Sequence, residues 1–124
     1  MEDGLAQLID AGLETIDAIG SDIKKEGVTE ISYPGTPLRC AQSLFTALHA
    51  VQADLARIIA PSLLISSRED HVVTSDNGDE LMMKVSGPIE RIWLEDSFHV
   101  ATMDNDRALV ESSTMDFLAK VLVQ

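Results

Sequence analysis

Two residues in the second half of the chain have side chains suited to work together. Asp70 lies in "SSREDHVV" and His99 in "LEDSFHVATMDND", and each comes just after a short apolar, strand-like run. A carboxylate beside an imidazole is the orienting and general-base part of a nucleophilic triad. The acid accepts a hydrogen bond from one ring nitrogen, which fixes the tautomer, and it stabilises the imidazolium formed when the other nitrogen takes a proton. Taken singly, each residue has a plainer reading: Asp70 as a strand-end carboxylate capping the helix that starts near Ser75, and His99 as a loop histidine bonded to backbone.

The surrounding elements decide whether the two can meet. "SLLISS" after Pro61 is a short apolar run between proline and charged residues, the pattern of a strand buried on both faces in a parallel sheet. A helix is expected from about Ser75 to Val85, then a Gly87-Pro88 turn, then a second strand in "IERIWLE", where Ile92 and Leu94 alternate with Arg91 and Trp93. A strand, helix, strand unit joins parallel strands by a right-handed crossover, so both carboxyl ends lie at one edge of the sheet. Open α/β sheets bind their ligands at that edge, and there the pattern puts Asp70 and His99.

A last helix, from about Asn105 to Leu122, carries Leu109, Val110, Phe117, Leu118, Val121 and Leu122 toward the sheet, with Asp104 as its N-cap. Upstream, the spacing of Leu5, Leu8, Ile9, Gly12, Leu13, Ile16 and Ile19 predicts an amphipathic helix from about Glu2 to Ala18, broken by "GSDIKKEG". "VTEISYPGTPL" reads as an irregular connection, with Thr36 as N-cap and Pro37 in the first turn of the next helix. That helix keeps Ala41, Leu44, Phe45, Leu48, Val51, Leu55 and Ile58 on one face for about twenty residues, with a break near His49 or Ala50. His49 is a packed or rim residue, since no second ligand type lies at metal spacing around it.

With 124 residues, 45% of them apolar and 24% charged, the chain is sized for one soluble domain that buries roughly two-thirds of its unfolded surface. Its formal charge of −12 argues against nucleic acid and anionic membrane surfaces as partners, because both demand a basic face. The acids concentrate in loops and helix ends, as a solvated surface does. Cys40, the single cysteine, reads as a small buried hydrophobe among Leu38, Ala41 and Leu44. No disulfide, leader or membrane-spanning run is expected, which makes the cytoplasm the default location.

The two segments also resemble a known family. "ARIIAPSLLISSREDHVV" is similar to the acid strand and D-x-V-V loop of carboxylesterases and monoacylglycerol lipases of the α/β-hydrolase superfamily, and "IWLEDSFHVATMDND" is similar to their S-x-H-V-x-T-x-D segment. "YPGTPLRCAQSLFTALHAVQADLARI" resembles the part of the mobile cap, and the helix after it, that precede the acid strand. The resemblance implies a partial α/β-hydrolase fold, with residues 1–57 as a cap-like helical segment and connecting helix, and residues 58–124 as the C-terminal strand-helix-strand-helix portion of the core. It puts Asp70 on the triad acid and His99 on the triad histidine. It also implies hydrolysis of carboxylic esters of small or medium acyl chains through an acyl-serine, with the helices before Pro61 lining the acyl pocket. No cofactor and no metal is called for.

One element of that family has no counterpart in the sequence. Its nucleophile sits in a G-x-S-x-G elbow, where the glycines permit a strained strand-to-helix turn. None of the eleven serines here has glycine two positions before and two after, and no oxyanion loop of the H-G type is present. The expectation is therefore the cap and C-terminal portion of a serine hydrolase, inert alone, whose partner is the missing N-terminal half or a second copy of itself. The alternative is a non-enzymatic assembly module that pairs through the exposed edge of its first strand. A zinc site from His71, His99 and Asp70 is disfavoured, because neighbouring Asp70 and His71 tend to point apart.

Overall fold

The computed structural model describes residues 2–123, with the side chains of Glu2 and Asp3 left aside. Helix α1, Glu2–Asp10, is the first element. It is shorter than its apolar stripe predicts, and the reason is Gly12. Gly12 adopts φ +85°, its N–H donates to Ile9 O, and the Leu13 N–H reaches back to Leu8 O. This paired arrangement closes a helix at a left-handed glycine. The residues expected in the last turn instead form strand β1, Thr15–Asp17, which pairs antiparallel with strand β2, Gly35–Pro37.

Strand β2 also corrects the next helix start. Thr36 is in the strand, and Pro37, with φ −66° and ψ 122°, is itself the capping residue, with no side-chain cap. Helix α2, Leu38–Asp54, runs without a break at His49 or Ala50 and passes into a 3₁₀ turn at Leu55–Arg57. It packs against α1. Leu38 is fully buried, but Cys40 is exposed, which overturns its reading as a buried hydrophobe.

The strand, helix, strand unit forms as expected. Strand β3, Ser62–Ser67, is followed by helix α3, Ser75–Lys84, and strand β4, Ile89–Leu94. The two strands are parallel and in register from Ser62 opposite Ile89 to Ser67 opposite Leu94. A 3₁₀ turn at Ala101–Met103 leads to helix α4, Arg107–Leu122. Asp106, not Asp104, precedes the first turn of α4. Together these make a mixed α/β arrangement around a parallel pair, alongside the small antiparallel pair.

The core is smaller than a 124-residue chain leads one to expect. Leu5, Leu38, Leu55 and Leu94 are the buried apolar residues among those described. Accessible surface totals 8756 Å², against about 6,500 Å² for a compact monomer of this mass. Ser62 to Ser66 of β3 are only half-buried, because this sheet has two strands and β3 has a strand neighbour on one side alone. No helix among the described residues is long and apolar enough to cross a membrane.

Candidate active site

Asp70 and His99 meet at the carboxyl ends of β3 and β4. His99 Nδ1 lies 3.0 Å from Asp70 Oδ2. The Asp70 side chain is 15% exposed and that of His99 39%. Asp70 Oδ1 accepts the N–H groups of Val72 and Val73 at 2.8 and 2.7 Å, an Asx turn that aims the other oxygen at the histidine. Asp70 thus caps its own loop and not the start of α3. Desolvation pushes the Asp70 carboxyl up, but the bond from His99, the N–H groups of Val73 and Val72 and the charge of His99 outweigh it and hold the group below its ordinary value. A carboxylate that only accepts requires a proton on Nδ1, which in the neutral ring leaves the lone pair on Nε2.

The loop that carries His99 is held by side chains from the end of β3 and from the segment that leads into α4. Ser67 Oγ, at the end of β3, donates to Phe98 O at 2.7 Å. Asp106 Oδ2 accepts Asp96 N–H and Ser97 Oγ–H at 2.8 and 3.0 Å, and Ser97 Oγ accepts Asp106 N–H at 3.0 Å. Asp104, expected as a helix cap, is instead buried beneath the loop. Its two oxygens accept the N–H groups of Phe98, Lys24, Asn105 and Lys25.

A second histidine–aspartate pair lies alongside, between residues that sequence reasoning did not connect. His71 Nδ1 is 2.8 Å from Asp22 Oδ1, and the His71 ring meets the Phe98 ring edge-on at 4.5 Å between centroids. Asp22 was hidden in "GSDIKKEG", a polar stretch without periodicity whose only local signal is the glycine at each end. His71 and His99 therefore face different carboxylates through Nδ1.

A cleft of about 300 Å³ is lined by Asp70 and His99 together with Leu64, Ser66, Gly78 and Leu81. Every residue lining it comes after Pro61. The helices before Pro61, expected to line an acyl pocket, contribute nothing to this cleft. What the cluster offers is an oriented base with a free nitrogen in a half-exposed, largely apolar cleft. The sequence contains no G-x-S-x-G segment.

No family model matches the chain. It is 37% identical over 106 residues to a thermostable monoacylglycerol lipase of Bacillus sp. (strain H-257), a match covering 85% of this chain and 42% of the lipase. It is 26% identical over 87 residues to a carboxylesterase of Bacillus subtilis (strain 168), covering 69% of this chain and 35% of that enzyme. Among solved structures, a metagenome-derived lipolytic enzyme described with LipS and LipT superposes with a TM-score of 0.88 at 41% identity, over 96% of this chain and 49% of its own. The chain spans about half the length of the relatives it matches, or less.

Proposed function

Because the chain belongs to the α/β-hydrolase superfamily, as kin of monoacylglycerol lipase and carboxylesterase, we propose that it supplies the acid–base half of a serine ester hydrolase. The nucleophile and the oxyanion donors come from another polypeptide segment. The observation that carries this reading is the 3.0 Å contact between His99 Nδ1 and Asp70 Oδ2, made where two adjacent parallel strands end.

In the assembled enzyme, His99 Nε2 takes the proton of the serine hydroxyl as the oxygen attacks the ester carbonyl. It then returns that proton to the departing alcohol. In the second half of the cycle it does the same for water, which releases the acid and restores the serine. Asp70 holds the ring and balances its charge while it is protonated. The substrates are carboxylic esters of small or medium acyl chains, and the cleft between β3 and α3 faces the reacting ester. Residues 1–57 act as the cap-like part and residues 58–124 as the core part.

The test is hydrolysis of a short-chain p-nitrophenyl ester by the chain alone and by the chain mixed with an N-terminal half of a related monoacylglycerol lipase. Activity is expected only on mixing, and His99→Ala should lower it by roughly 10³-fold or more. Activity of the mixture that survives His99→Ala removes the proposed base. Activity of the chain alone removes the division of labour.

A second reading, assembly without catalysis, is favoured by the single strand neighbour of β3 and by the large accessible surface. It predicts a stable complex with a second copy or with the complementary half, and no hydrolysis in either.

A further inference from the structure

Between Gly20 and Gly27 the backbone has no regular structure, yet Asp22 within it is 8% exposed. An aspartate in a surface loop normally keeps its charge in water, so burial here requires partners. Asp22 Oδ2 accepts the N–H of His71 at 3.2 Å and the N–H of His99 at 3.1 Å. Oδ1 faces His71 Nδ1 at 2.8 Å, and the main-chain oxygen accepts the N–H of Val100 at 3.2 Å.

Two of these bonds fall on one oxygen and have a specific geometric effect. The N–H of His71 belongs to the peptide group that joins Asp70 to His71, and the N–H of His99 belongs to the one that joins Phe98 to His99. One carboxylate oxygen therefore holds the peptide groups next to both members of the pair, across 49 and 77 residues of sequence. The strands alone do not set this distance, since Asp70 lies three residues past β3 and His99 five past β4. A displacement of an ångström between base and orienter is enough to lose the productive hydrogen bond.

We propose that Asp22 is a positioning residue for the Asp70–His99 pair, clamping the two loops through the N–H groups of His71 and His99. The catalytic consequence rests on the role proposed above for His99. The clamp itself does not, and it is measurable without turnover.

The experiment is an imidazole ¹H–¹⁵N spectrum of the full chain, recorded where the rings are neutral, for the wild type, Asp22→Ala and Asp22→Asn. In the wild type, His99 is expected as the Nδ1–H form. Asp22→Ala should shift the tautomer ratio toward Nε2–H by about tenfold, the equivalent of one charge-assisted hydrogen bond. Asp22→Asn keeps an oxygen for the two backbone donors and should restore most of the Nδ1–H form. A folded Asp22→Ala chain with an unchanged His99 spectrum overturns the proposal, as does an equal shift in both variants. If Asp22→Ala fails to fold, amide hydrogen exchange of the wild type decides. The N–H groups of His71 and His99 should then exchange at least about tenfold more slowly than in an unstructured peptide, and free exchange of either overturns the clamp. Loss of ester hydrolysis in His99→Ala reports separately on the catalytic reading, so either idea can fail while the other stands.

Discussion

Four backbone N–H groups, from Lys24, Lys25, Phe98 and Asn105, converge on the two oxygens of Asp104, which is 1% exposed. Replacing it with alanine leaves those donors without an acceptor, for a loss of about 2–4 kcal/mol measured by urea unfolding. Asp104→Asn keeps one acceptor oxygen and should lose less. Desolvation pushes the Asp104 carboxyl up, but the four N–H donors outweigh it and hold the group below its ordinary 3.8. Asp70 is lowered likewise. So is Asp22, where desolvation is outweighed by the His71 ring, the N–H groups of His99 and His71 and the charge of His71. In each case the unfolded chain binds protons more readily than the folded one, so the stabilisation is complete above pH 3.8 and is lost as the pH falls below it through the folded-state values. The gap in urea midpoint between wild type and Asp104→Ala should shrink over that same interval. At this scale the sequence shows Asp70 and His99, because each follows a recognisable strand. It hides Asp22 and mislabels Asp104, because both act on backbone groups far along the chain and leave no local pattern. The run "MDND" offers two aspartates near a helix start, and spacing cannot tell which one caps and which is buried.

Among the elements, β3, α3, β4 and α4 were legible because alternation, helical spacing and the Gly87-Pro88 turn agree with one another. The small sheet was not. Strand β1 continues the apolar spacing of α1, so periodicity alone extends the helix, and only the left-handed conformation of Gly12 ends it. The Gly87 turn is set by close approach. A Cβ there would lie 2.5 Å from Ile59 O and 2.6 Å from Ala60 O, and the Gly87 N–H donates to Ile58 O at 2.9 Å. Gly78 on α3 is also crowded, with Arg91 Nη2 at 2.7 Å from such a Cβ, but that neighbour is the end of a long side chain stacked on Trp93 at 3.5 Å. A side chain can swing where a backbone cannot. Gly87→Ala should therefore cost more than about 2 kcal/mol and Gly78→Ala about 1–2 kcal/mol. Thermal unfolding of the two variants checks the order, and a Gly78 variant that melts below the Gly87 variant reverses it.

For the whole molecule, what length and composition suggest and what the fold delivers diverge. The expectation of a self-sufficient core fails because β3 has a strand on one side only, and because Leu44, Leu48, Val51 and Ile59 remain exposed. Composition records how much apolar material a chain contains and not how much of it the chain can bury by itself. Such a surface should associate, and the charge determines under what conditions. Two copies each carrying −12 repel across a screening length of about 30 Å at 0.01 M salt and about 10 Å at 0.1 M, while burial of apolar area is little affected by screening over that range. Self-association should therefore be weak at the lower salt and grow at the higher, as measured by sedimentation across a dilution series. A hydrophobic dye should bind the isolated chain and be displaced when the N-terminal half of a related lipase is added, the outcome that the split-enzyme reading predicts for the unpaired edge of β3. A chain that stays monomeric at both salts, binds no dye and ignores the added half would have a stable open edge, and both the split-enzyme and the assembly readings would fall together.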